Sequence, residues 1–235
     1  METSMGYIAF LADAMIVYAA VIGGMKYIRS KRLANFLFMA VTYASYVSLS
    51  LIVYSDVGLY DWNFQNTLPM ANVSPFMFSL MPILPLLPER AKKPLYLLVS
   101  LLSVGMLLSA VFNCIRNAAI GYAFHFHFTL DYLAHFALSL FGVYLVRSGQ
   151  VEVRARRAVS SGALLFGVAF VMIVLNLILD TSFFGLSLRG KHNIYNNVLV
   201  SSSCLSAFIY FVGLFVVLLL GYLFMLLIKR RFAEE

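Results

Sequence analysis

The chain has 235 residues, 62% of them hydrophobic and only 11% charged, with a net charge of +7. Soluble domains carry roughly 45–50% apolar and about 25% charged residues, so a water-soluble globule is excluded. A basic balance in so apolar a chain belongs to loops that flank a membrane and meet anionic headgroups, and nucleic acid is rejected as a partner.

Each crossing takes about 20 apolar residues, so this length is filled by six or seven helices with no large soluble domain. Apolar runs fall at about 5–28, 33–54, 68–87, 94–113, 128–147, 160–180 and 198–228. They predict an all-α, polytopic helical membrane protein with about seven transmembrane helices, residues 1–235 forming a single integral membrane domain. The first run has no basic region before it and no small-residue cleavage site, so it reads as a retained span and not a signal peptide. The third, from Leu68, carries Pro69, Pro75, Pro82 and Pro85. Pro75 lacks an amide donor and disturbs the carbonyl near Ala71, leaving open an ordinary kink or a broken helix lining a cavity. The last run is longer than one perpendicular crossing, and either tilt or an outer cap at Ser201–Cys204 accounts for it. Alternation of the barrel-strand kind is absent. Cys114 and Cys204 show neither metal spacing nor a disulfide framework and read as packing residues.

Basic residues are enriched in cytoplasmic connections. Here alternate connections carry Lys26, Arg29, Lys31 and Arg32, then Arg90, Lys92 and Lys93, then Arg147, Arg154, Arg156 and Arg157, and finally Lys229, Arg230 and Arg231. Of the 17 basic residues only Arg116, Arg189 and Lys191 fall on the other side. The N terminus is expected outside and the C terminus in the cytoplasm.

Polar side chains inside apolar spans are costly, so their depth is informative. In this orientation Asp13, Asn72, Ser74, Asp131, His135, Asn176 and Asp180 all lie toward the outer side. Asp131 with His135, and Asn176 with Asp180, are spaced i, i+4, which puts each pair on one helical face. Two readings are open: polar glue between helices, or the walls of one pocket open to the non-cytoplasmic side. A histidine with a carboxylate one turn away has the parts of a general base and its orienter, and Ser74 is the hydroxyl nearest in depth. A buried, satisfied histidine is the competing outcome. His125, His127 and His135 lack a diagnostic ligand spacing, so no metal is assigned and no cofactor is implied. Arg189, Lys191 and His192, in the outer segment before the last span, suit a phosphate or carboxylate headgroup, or are simply solvated. There is no nucleotide-binding loop.

From Asp131 to Tyr195 the chain resembles the bacterial YwaF-like integral membrane proteins, which are related to the eukaryotic transmembrane protein 164 group. The resemblance rests on His135, on the Tyr144-Leu-Val-Arg exit into a basic loop, on Asn176 followed by Asp180-Thr-Ser-Phe-Phe, and on Leu68-Pro-Met-Ala-Asn-Val-Ser. It implies a multi-helix membrane fold, a bacterial plasma membrane and, from the eukaryotic members, acyl transfer onto lipids with His135 as the corresponding base. Val73 stands where those members carry their cysteine and Ala71 where they carry a histidine, so a thiol mechanism does not carry over.

The first functional expectation is a lipid acyltransferase or hydrolase using His135, Asp131 and Ser74, with Asn72 and Asn176 holding substrate or an oxyanion. The alternatives are a non-enzymatic solute or lipid binding or transport component, and a partner subunit of another membrane protein. Membrane lipids are the expected partners in either of the first two.

Overall fold

The computed structural model describes residues 2–55, 72–121, 126–179, 184 and 203–232. In chain order these form α1 (Glu2–Gly24), α2 (Lys31–Ser55), α3 (Val73–Leu80), α4 (Glu89–Ala119), α5 (Phe126–Arg147), α6 (Ala155–Leu179) and α7 (Ser203–Phe232). No strand occurs among the described residues. Six helices, all but α3, are long and apolar enough to cross a membrane, so the described residues form an all-helical structure of the multi-pass membrane kind.

The third run departs from a continuous span for a local reason. Asn72 is extended, at φ −149° and ψ 172°, and α3 starts only at Val73. Pro75 therefore sits in the first helical turn, where its missing amide has no intrahelical partner to lose. The break lies at the other end. Pro82, Pro85 and Pro88 recur every third residue, and the backbone tightens to bonds between residues three apart: Met81 to Phe78, Ile83 to Leu80 and Leu86 to Ile83. A 3-10 turn over Leu84–Leu86 results.

Helix α4 is longer than its apolar run. Pro88 closes off the extended chain, Glu89 opens the helix, and a Glu89–Lys92 contact of 3.0 Å supports its first turn. At its far end α4 runs on to Ala119, which puts Arg116 on the helix instead of in a connection. Helix α5 stops where Gly149 takes φ +69°, a backbone state that glycine adopts at little cost.

Helix α5 is the central element, packed most extensively on α4 and α2. Its most apolar stretch is 78% buried, against 11% for that of α1, which lies at the rim. Close approach is secured by glycine. A Cβ on Gly142 of α5 would lie 2.9 Å from the Val99 carbonyl oxygen of α4, and one on Gly221 of α7 would lie 1.8 Å from that of Leu101. Polar bonds tie the same helices: Tyr18 to Ser139 at 2.7 Å, Asn117 Nδ2 donating to the Tyr132 hydroxyl at 2.9 Å, and Cys114 Sγ donating to the Tyr7 carbonyl at 3.2 Å.

Contacts also fix which helix ends lie together. Lys31 Nζ donates to the Ser148 carbonyl at 2.6 Å, Asn35 bonds Gln150 at 2.8 Å, and Arg147 donates to the Ile22 carbonyl. Arg147 also stacks over the Phe232 ring at 3.9 Å, and Tyr96 lies beside Asn35. The end of α1, the start of α2, the start of α4, the end of α5 and the end of α7 thus share one end, where their basic residues gather. At the opposite end Tyr7 of α1 meets Phe128 of α5 and Cys114 of α4.

Candidate functional site

Near the end opposite the basic cluster, a cavity of about 690 Å³ opens between α3, α4, α5 and α7. Helix α5 contributes Asp131 and His135, and the start of α3 contributes Asn72 and Ser74. These four residues were expected to converge from their depth, and they line one cavity. Its deeper wall is apolar, built by Leu102 and Met106 of α4 and Leu214 and Val217 of α7.

The geometry at His135 assigns its protons. Nδ1 lies 2.8 Å from the Asp131 backbone oxygen and 3.4 Å from the Asp131 Oδ1. Both oxygens accept, so in the neutral ring Nδ1 carries the hydrogen and Nε2 is left as the acceptor. The carbonyl is available because the two residues stand one turn apart on the same face. Phe78 of α3 meets the imidazole edge-on, with centroids 5.1 Å apart and planes at 89°. His135 is 5% exposed. An imidazole held at one nitrogen and braced on its edge can take a proton at the other.

Helix α4 adds three polar residues that were not anticipated: Ser109, Asn113 and Arg116. They are spaced i, i+4, i+7, one polar stripe along a face of the helix. That periodicity is the sequence signal that would have found them. It was hidden because the apolar run ends at 113, which left Arg116 reading as a loop residue. The Arg116 side chain is exposed at the mouth and makes no ion pair or hydrogen bond among the described residues. Its guanidinium is therefore available to an anionic oxygen. Tyr210 of α7 also lines the cavity.

Other expected residues fall elsewhere. Asp13 lines a separate apolar groove of about 820 Å³ between α1, α2 and α5, together with Leu133, Phe136 and Leu140. Asn176 is 3% exposed on α6 and is not among the cavity residues. Asp180, Arg189, Lys191 and His192 lie outside the described residues, as does His125, and of His127 only the backbone is described. On the connection that carries the first four, Phe184 is buried and sets its ring edge-on to Phe76 of α3 at 5.7 Å. No group of three metal-ligating side chains occurs among the described residues. No hydrogen bond joins Ser74 to His135 among them.

The cavity has the parts of an amphipathic binding site: an exposed cation and amides at the mouth, an imidazole and carboxylate below, and an apolar wall beneath. Scanned against family models, curated proteins and solved structures, the chain finds no match.

Proposed function

We propose that this is a lipid-handling membrane protein whose polar cavity opens to the non-cytoplasmic side and accepts a lipid headgroup, with His135 as general base in acyl transfer or hydrolysis. The observation that carries the reading is the Asp131–His135 pair, with Nδ1 fixed at 2.8 Å on a backbone oxygen, in a cavity shared with Ser74 and Arg116. Arg116 holds the phosphate of the headgroup, and the apolar wall receives the first carbons of an acyl chain. His135 Nε2 takes the proton from Ser74 Oγ as that oxygen adds to an ester carbonyl, Asn72 or Asn113 donates to the oxyanion, and the imidazolium gives the proton to the departing ester oxygen as its C–O bond breaks, leaving an acyl-serine for water or an acceptor alcohol.

Seven crossings with the N terminus outside complete the reading. Helix α2 starts at the basic end, where Lys31 meets Ser148, and α4 starts there too, where Tyr96 lies beside Asn35. In this reading the chain between them returns across, with the stretch from Asn72 through the 3-10 turn at Leu84–Leu86 as part of that return. A gathered basic end facing the cytoplasm follows the usual charge asymmetry.

A second reading, binding or transport without chemistry, is favoured by the absence of a Ser74–His135 hydrogen bond among the described residues. The test that separates the two is turnover of acyl-labelled phospholipid by the purified protein in bilayers. The wild type is expected to release or transfer the label, and His135→Ala to stop it while the protein remains folded. Turnover retained by His135→Ala removes the catalytic role. Binding of intact lipid with no turnover by the wild type selects the second reading.

A further inference from the structure

The end of the molecule that gathers the basic residues contains a second cavity, of about 590 Å³, which the outer-pocket reading does not use. Its cations come from three elements: Lys26 after α1, Lys31 at the start of α2, and Arg147 at the end of α5. Among the described residues no carboxylate lines it. Tyr144 is also in its wall, 2% exposed. The Tyr144 hydroxyl is buried beside that of Ser148 without a hydrogen bond of proper geometry among the described residues. A buried hydroxyl is best satisfied by an acceptor, which an anion would supply. An anion that filled this cavity would meet three cations and a donor.

The apolar groove between α1, α2 and α5 begins next to this cavity. Ile28 lines both, and Arg29 and Ser30 line the near end of the groove. From there the groove is walled by Val21, Val17, Leu37 and Val41, with Leu133 and Phe136 of α5 behind them. Its size, about 820 Å³, and its apolar walls suit acyl chains.

We propose that the basic cavity and the adjoining groove form a binding site for one anionic phospholipid, with the phosphate among Lys26, Lys31 and Arg147 and the acyl chains along α1 and α2. Three cations from three elements line one cavity and suit an anionic headgroup, whereas a zwitterionic lipid brings its own cation into the same space. Lys31 and Arg147 already hold backbone carbonyls of Ser148 and Ile22, so the site is built into the packing of α1, α2 and α5.

The test is lipid binding by the purified full chain in detergent, read by native mass spectrometry. The probes are phosphatidylglycerol, phosphatidylcholine of the same chains, and inorganic phosphate. Phosphatidylglycerol is expected to bind about tenfold more tightly than phosphatidylcholine, as expected for one or two lysines near a headgroup. Lys26→Gln should reduce that preference, and Lys26→Gln with Lys31→Gln should abolish it. Lys26 makes only a cation–π contact with Tyr27 among the described residues, so the single variant keeps the fold. Val17→Trp, on an exposed groove position, should weaken both lipids about equally and leave the preference intact.

Equal binding of the two lipids by the wild type overturns the proposal, as does a preference that survives the lysine variants. Displacement of phosphatidylglycerol by millimolar phosphate, or insensitivity to Val17→Trp, overturns the acyl groove. Glu234 and Glu235 follow Phe232, which lines the cavity. If the preference appears only in Glu234→Gln with Glu235→Gln, the chain's own tail is the occupant and the lipid proposal fails.

Discussion

The two faces of α5 have opposite characters. One carries Asp131 and His135 into a polar cavity beside α3, α4 and α7, and the other carries Leu133, Phe136, Ala137 and Leu140 into an apolar groove beside α1 and α2. The switch takes two residues, because positions 131 and 133 stand about 200° apart around a helix. A central helix can therefore serve two cavities of unlike chemistry with no change in backbone. Membrane depth alone does not say which cavity a polar residue faces.

The contrast can be broken on the polar side first. If Ser74 and His135 act as one unit, Ser74→Ala should lower lipid turnover by about 10²–10⁴-fold. The double variant with His135→Ala should lose no more than the worse single one, as expected of groups acting together. Additive losses in that cycle would separate the two residues. The next largest effect is structural. Gly142→Leu inserts a side chain where a Cβ already meets the Val99 carbonyl at 2.9 Å. It should cost about 1–3 kcal/mol or more, read as a lowered melting temperature in detergent, and should damage both cavities together. A selective loss on one side would show that the α4–α5 seam is not shared.

Arg116→Gln should weaken binding of an anionic-headgroup ligand at the polar cavity by about tenfold, the scale of one charge-assisted hydrogen bond. Titration with short-chain phospholipid at rising ionic strength would check it, with the salt dependence falling alongside the affinity. The smallest effect is the sharpest test of the division. Asp13 lies across α5 from His135, so Asp13→Asn should leave turnover and ligand affinity at the polar cavity within about twofold of the wild type. A large effect would join the two sides.

The helical architecture was legible because burial in lipid demands long apolar runs, and the runs coincide with all six long helices. The pairing of Asp131 with His135 was legible because helical periodicity is local. So was the meeting of both with Asn72 and Ser74, since all lie at one depth. What the residues did not disclose is which helices border the cavity. Asp13 and Asn176 were placed at similar depths, yet neither α1 nor α6 contributes a residue to its lining. The place of a helix in the bundle is set by its neighbours, for α1 through contacts such as Tyr18–Ser139. The Arg116 stripe escaped because a polar last turn ends the hydropathy signal before it ends the helix. Gly142 and Gly221 were also silent, since only the packed structure shows which glycine a neighbouring backbone touches.

The prolines at 82, 85 and 88 bear on how the protein is made. A continuous apolar helix can leave the insertion machinery into lipid alone, with every backbone group satisfied within itself. Eight residues of α3 followed by a 3-10 turn cannot. This segment has to stay in a watery or protein-lined setting until its neighbours arrive: Phe78 can meet Tyr46, already made, but waits for His135, synthesised more than fifty residues later. The cavity is then completed during assembly, when α5 closes against α3, and a chain stalled before α5 would present an unfinished third segment to quality-control proteases.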